Sequence, residues 1–300
     1  MVWRSVMISN PAKLRREHYS LAIDQEQTAF VPFEDIAVIV LNHREITLTH
    51  PVLSACAEYG IGLYATGDNH QPSGIFLPFL PHSRTTKMMR LQLNVARPLM
   101  KQVWANIVRR KIENQAACLR LAGREGVDRL ESYARRVRSG DTDNLEGQAA
   151  AFYFVQLFGQ SFHRGLEQWT NAALDYGYAV LRGAIARGLV AHGLHPTVGI
   201  FHDSEQNAFN LADDLIEPFR PLVDLHVVKH HAVTEGDLSP ADKAALVALL
   251  NIDVRMPQGR MAAQSAIEYV VESLVRVFEE DVDSLQLPAL IGLQPHKLEY

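Results

Sequence analysis

The feature that most constrains this chain is a change of hydrophobic period near residue 80. Before it, apolar residues come in short β-branched or alternating runs: Trp3–Ser9, Leu14–Ile23, Gln27–Pro32, Ile36–Leu41 and Ile61–Tyr64. Runs of this length, bounded by Pro, Gly, Asn and Asp, predict strands. His50-Pro51 followed by Val52, Leu53, Ala55, Cys56 and Tyr59 has helical spacing, with Gly60 just past its end, and predicts one helix among them. Gln71 to Pro81 holds three prolines and a glycine and reads as a linker. Beyond it, apolar residues recur every three or four positions, at Met88, Leu91, Val95, Leu99, Val103 and Ile107, as on amphipathic helices. Pro98 is expected to break or kink that run. Further helical patterns cover Val127–Arg138, Glu146–Phe158, Gln168–Gly188, Phe209–Asp224, Ala241–Leu250 and Arg260–Phe278. The expected fold class is α+β: a small β-rich, sandwich-like N-terminal domain over 1–80 and a larger all-α domain over 81–300. The tail from Leu285 to Tyr300, with Pro288, Pro295 and Lys297, reads as an irregular extension.

Several function classes are excluded by what is missing. No apolar stretch approaches the roughly 20 residues of a membrane span, and the N-terminus has no apolar core followed by a cleavage site. The expected location is therefore cytoplasmic, with no membrane partner. Cys56 and Cys118 stand far apart and outside any C-x-x-C spacing, so they read as buried thiols and not as a disulfide framework or zinc site. There is no Gly-x-Ser-x-Gly elbow, no phosphate-binding Gly-x-x-x-x-Gly-Lys loop and no His-Glu-x-x-His motif. Gly60-x-Gly62 followed by Gly67 has the wrong spacing for a dinucleotide and reads as turn chemistry.

Charge is distributed unevenly. The chain carries −5 overall, yet between Arg84 and Arg138 fourteen Lys and Arg face only four acids. Clustered cations of this density displace the counterions condensed on a phosphate backbone, so the segment reads as a footprint for a polyanion or, alternatively, as a solvated helix face. The candidate contacts to such a polyanion are Arg84, Lys87, Arg90, Arg109, Arg110 and Lys111.

Two segments carry groups suited to chemistry. Asp143-Asn144 precedes Leu145-Glu146-Gly147, so Glu146 falls in the first turn of a capped helix, where the helix dipole alone would favour a carboxylate. Downstream, His202 closes a short apolar run, and Asp213, Asp214 and Glu217 follow at helical offsets. Three acids on a mainly apolar helix must be exposed, paired with Arg220 or neutralised by a cation. Imidazole plus carboxylates is a hard N/O donor set suited to Mg²⁺ or Mn²⁺. Tyr153, Tyr176 and Tyr178 read as core at helical spacing, with base stacking the alternative. His192, His195 and the pair His230-His231 read as loop or surface histidines.

Taken together, Leu145-Glu146-Gly147-x-Ala-Ala-x-x-Tyr153-Phe154, Asp175-Tyr-Gly-Tyr-Ala-Val-Leu181, Gly199-x-x-His202 and Asp214-Leu-x-Glu217-x-Phe-Arg220-Pro-x-Val-Asp224 resemble, in order and separation, the CRISPR-associated integrase that inserts new spacers. The β-rich part, ending in Gly74-x-x-x-Pro78, is similar to that family's N-terminal domain. The resemblance implies a homodimer paired through the β-rich domain, a helical catalytic domain, and a smaller partner protein of the same adaptation system. It implies a metal site of Glu146, His202 and Glu217, with Asp214 and Arg220 in support, where many relatives carry Asp in place of Glu217. Two departures mark this chain: Asn207-Ala208-Phe209-Asn210-Leu211 replaces a Gly-Arg-Ser-Leu run, and Pro218 falls inside the expected helix.

The activity so implied is attack of the 3′-hydroxyl ends of prespacer DNA on phosphodiesters of the CRISPR repeat, assisted by Mg²⁺ or Mn²⁺ and requiring no protein nucleophile. Double-stranded DNA is the expected partner. The compact length resembles members from systems with one large RNA-guided effector, itself a further expected partner. Two other readings use the same residues: a metal-dependent nuclease for branched or recombining DNA, and a non-enzymatic DNA-binding scaffold with structural acids.

Overall fold

The computed structural model describes residues 4–67, 72–79, 82–165, 169–230, 236–280 and 284–296. The N-terminal part builds two four-stranded sheets. One takes β1 (Arg4–Ile8), β5 (Ile36–Leu41), β7 (Gly62–Thr66) and β8 (Pro72–Phe76) in the order β1-β5-β7-β8, parallel except for β8 against β7. The other takes β2 (Ala12–Glu17), β3 (Ser20–Asp24), β4 (Thr28–Pro32) and β6 (Ile46–Leu48) in the order β4-β3-β2-β6. A helix, α1 (His50–Glu58), starts on Pro51 as expected. Ile8, Leu14, Leu21, Phe33, Ile36, Ile39 and Val52 fill one core shared by both sheets and α1.

Two readings of this part change. The run Leu14–Ile23 is a hairpin, turning at His18, which takes φ 52°. No Gly, Pro or Asn marks that turn, and a histidine in the left-handed region is uncommon enough that the pattern missed it. The expected linker contains β8, which pairs with β7; Gln71, Leu80 and Pro81 lie outside the described residues. The strand expected from Trp3 is seen from Arg4.

Strand β5 joins this part to the helices. Ile36 and Ile39 belong to the first core, while Ala37, Val38 and Val40 enter the core of the helical region. The central helix of that region, α6 (Trp169–Ala191), passes so close to β7 that a Cβ on Gly183 would stand 1.9 Å from the Tyr64 ring. Only glycine permits that approach.

The helical region continues with α2 (Thr85–Leu93), α3 (Arg97–Leu121), α4 (Val127–Arg136), α5 (Leu145–Phe158), α7 (Asn210–Ile216), α8 (Arg220–His230), α9 (Pro240–Val247) and α10 (Ala263–Phe278). Pro98 separates α2 from α3 by occupying the first turn of α3, where its missing N–H has no intrahelical use. One addition was not expected. A three-stranded antiparallel sheet, β9 (Ile252–Met256), β10 (Gly259–Ala262) and β11 (Ala289–Pro295), packs within the helical part in the order β10-β9-β11. It absorbs Arg260 from the expected start of α10 and much of the tail that read as irregular. Lys297 and Tyr300 lie outside the described residues. Among the described residues no helix is long and apolar enough to cross a membrane.

Candidate active site

Glu146 sits in the first turn of α5, and its backbone placement is local. Asp141 accepts from the backbone N–H groups of Leu145 and Glu146, both at 2.9 Å, and Asn144 accepts from Gly147 N–H at 3.3 Å. These acceptors take up N–H groups that the first turn of any helix leaves free.

His202 is placed quite differently. Its loop is folded around the carboxylate of Asp214, which is fully buried on α7. That carboxylate accepts from the backbone N–H groups of Ile200 (2.5 Å), Phe201 (3.1 Å) and His202 (3.1 Å), and from His202 Nδ1 at 2.8 Å. Because the carboxylate can only accept, the imidazole must donate through Nδ1, which leaves Nε2 as the free ring nitrogen. The loop closes so tightly that a Cβ on Gly199 would lie 2.1 Å from the carbonyl oxygen of His202. Gln92 on α2 fixes the loop's approach, donating to the carbonyls of His195 (2.9 Å) and Val198 (2.8 Å) and accepting from His195 N–H (2.8 Å). The Asp214 hydrogen bond, opposed by partial burial, raises the proton affinity of His202 above that of an ordinary imidazole.

Glu217 lies at the break between α7 and α8. Pro218 ends α7 for want of an N–H, so the expected Phe209–Asp224 helix is two helices. Asn114 on α3 donates to the carbonyl oxygens of Pro218 (2.7 Å) and Pro288 (2.9 Å) and accepts from Leu290 N–H (3.0 Å), tying this break to β11. Glu217 is 5% exposed. Arg220 Nε donates to its Oε1 at 2.9 Å, while its Oε2 is buried against another cation. What stands beside that oxygen is the ammonium of Lys111, one turn before Asn114 on α3, which also pairs with Glu146. Burial alone would raise the Glu217 pKa, but Arg220 and Lys111 outweigh it and bring it down to about 2. Burial likewise works against the charge on Lys111, and Glu217 and Glu146 reverse that effect.

Behind Arg220 lies a buried polar network. Its guanidinium stacks on the Tyr178 ring at 4.6 Å. The hydroxyls of Tyr178 and Tyr153 both donate to Asp224, Tyr153 at 2.9 Å. Burial, opposed by those two hydrogen bonds, still lifts the Asp224 pKa to about 6. Tyr153, Tyr176 and Tyr178 are core residues, as their spacing suggested.

The fold thus brings Glu146 and Glu217 to one cation and sets His202 nearby, close enough for Glu217 to influence its charge. Among the described residues no three His, Cys, Asp or Glu side chains already converge as a group that could hold an ion. The donor set nonetheless suits Mg²⁺ or Mn²⁺: two carboxylates that already share a cation, and an imidazole held through Nδ1 with its second nitrogen free. Of the basic residues, Arg84 and Arg90 are exposed, and Lys87 is exposed but pairs with Glu279 at 2.8 Å. Arg109 is half-buried and donates to the Val137 carbonyl at 3.1 Å, Arg110 pairs with Glu113 at 3.3 Å, and Lys111 is buried at the two glutamates. Asp141, Asn114, Gln92 and the place of Lys111 were not singled out from the sequence. For the three α2 and α3 residues the signal was a polar residue inside an apolar stripe, Gln92 four after Met88 and Lys111 four after Ile107.

A protein-family model described as "CRISPR associated protein Cas1" matches residues 6–250. The chain belongs to the Cas1 family. It is 42% identical, over the whole of both chains, to the CRISPR-associated endonuclease Cas1 of Neisseria meningitidis serogroup C (strain 8013), and the coarse assignment to a CRISPR-associated nuclease follows from that likeness. Two solved structures share the Cas1 fold with it at 18% identity. A casposase bound to integration product has a TM-score of 0.77 over 95% of this chain and 92% of that one, and a CAS1 protein from Thermotoga maritima has 0.72 over 92% and 97%.

Proposed function

We propose that this chain is a divalent-metal-dependent DNA integrase of CRISPR adaptation, joining 3′-hydroxyl ends of prespacer DNA to repeat phosphodiesters. The observation that carries the reading is the meeting of Glu146 and Glu217, from distant segments, at a single cation beside an imidazole pinned through Nδ1. Carboxylates gathered in a buried place demand positive charge there, and the free His202 Nε2 supplies a further ligand. Glu146, Glu217 and His202 Nε2 would hold Mg²⁺ or Mn²⁺. When bound, such an ion supplies Lewis-acid polarisation of the target phosphodiester and eases ionisation of the attacking hydroxyl.

This chain's own residues orient and neutralise. Asp214 fixes the tautomer and direction of His202 and is saturated by its four hydrogen bonds, so it supports the site from behind. Arg220 balances one oxygen of Glu217. No side-chain nucleophile is needed: the new phosphorus–oxygen bond forms to the incoming 3′-oxygen as the bond to the departing 3′-oxygen breaks, so the number of phosphodiesters is conserved. The nuclease reading differs only in taking water as nucleophile.

The DNA backbone is gripped by exposed cations of the basic segment, Arg84 just before α2 and Lys87 and Arg90 on it among them, while Arg109 and Arg110 on α3 are half-buried. Phe201 is 56% exposed and lies flat on buried Trp104, with ring centroids 4.2 Å apart, next to His202. That open π-face suits an unpaired base at the reacting end. The expected assembly is a homodimer through the β-rich part, joined by a smaller adaptation protein and engaged by the system's effector.

The test is a joining assay with short duplex DNA bearing free 3′-hydroxyls, a supercoiled plasmid holding a repeat array, and Mn²⁺. Covalent joining by the wild type and none by His202→Ala is the expected result. Cutting without joining, with the small partner present, supports the nuclease instead. DNA binding indifferent to metal and to the substitution leaves the scaffold.

A further inference from the structure

The mechanism above gives no role to the buried cation that the two glutamates share. Lys111 comes from α3, a helix that supplies no candidate metal ligand, and its side chain is 9% exposed. It ends between two carboxylates, Glu146 Oε1 and Glu217 Oε2, that belong to segments about 70 residues apart. A lysine so enclosed loses hydration and most of its rotamer freedom, and an apolar residue there would continue the buried stripe of Ile107 and Cys118. Arg220 takes Oε1 of Glu217, and Lys111 faces Oε2.

We infer that Lys111 is an internal counter-ion of the metal site: it gathers Glu146 and Glu217 in the metal-free chain, and a divalent cation must displace its ammonium from between them. Lys111 is thus a positioning residue for the metal site. The inference rests on the metal-site reading under the proposed function. It accounts for the convergence of two glutamates from distant segments on one ammonium. Like charge within about 4 Å of a bound dication is strongly unfavourable at the effective dielectric of protein sites, so ammonium and metal cannot share the position.

The experiment is Mn²⁺ titration of metal-free protein by calorimetry, alongside thermal unfolding with and without Mn²⁺, for the wild type, Lys111→Met and Lys111→Arg. Lys111→Met should bind Mn²⁺ at least tenfold more tightly, and be less stable than the wild type without metal but rescued by it. Lys111→Arg, which keeps the charge, should bind no tighter than the wild type. A merely structural lysine predicts instead that Lys111→Met binds Mn²⁺ equally or more weakly, and that result overturns the inference while leaving the metal site standing. If Lys111→Met does not fold, tighter binding by Lys111→Arg than by the wild type overturns it in the same way. Absence of Mn²⁺ binding in every folded variant rejects the metal-site reading and the inference with it.

Discussion

The two sides of the candidate site are built by opposite means. Glu146 depends on its own neighbourhood: Asp141 and Asn144, five and two residues before it, cap the helix that carries it. His202 and Glu217 depend on the rest of the molecule, since their backbone is held by Gln92 and Asn114 from helices about 100 residues earlier and by the buried Asp214. A locally capped residue keeps its place when distant packing changes. A loop wrapped on a buried carboxylate does not, because removing that carboxylate orphans every donor aimed at it.

Four outcomes would break or sharpen this contrast. Asp214→Ala should destabilise the chain by about 3–5 kcal/mol in denaturant unfolding, since three backbone N–H groups and an imidazole lose their acceptor inside the fold. Next comes acid. The ordinary pKa of Glu217 is 4.5, and in the fold it is held down to about 2, so between those values the unfolded chain binds a proton that the folded chain refuses. Stability must therefore fall as pH drops through that window, by up to roughly 3 kcal/mol, and Glu217→Gln should flatten this limb of a pH-dependent unfolding series. Asn114→Ala, which frees two carbonyls and one N–H, should cost about 2 kcal/mol and loosen the Glu217–Pro218 break, seen as faster amide exchange in 215–220. Smallest is Asp141→Ala, a capping loss of about 1 kcal/mol. If Asp141→Ala costs as much as Asp214→Ala, the two sides are not built differently.

The same contrast explains what could be read in the sequence. β5 and α1 follow from patterns within six to ten residues, and each was found within a residue of its bounds. Glu146 was legible as a capped first-turn acid, whereas helical offsets left Asp213 and Asp214 equivalent, and only the fold shows that Asp214 takes the donors of the His202 loop. What escaped was set by distance. The pairing of β8 with β7 makes a strand of a proline-rich stretch, and β11 is tied in by Asn114 and by β9, neither of which its own prolines announce. Lys111 counted as one more base in a basic segment, because only the three-dimensional fold shows that this one turns inward while Arg84 and Arg90 face outward.

The central claim is that three side chains from these two differently built halves make one divalent-cation site. Its most direct test is Mn²⁺ binding to metal-free protein, followed by calorimetry and by the electron paramagnetic resonance of the free ion, in the wild type and in Glu146→Gln, His202→Ala and Glu217→Gln. The account predicts one site per chain that each substitution weakens at least tenfold. Binding of Mn²⁺ that survives all three substitutions unchanged would contradict it.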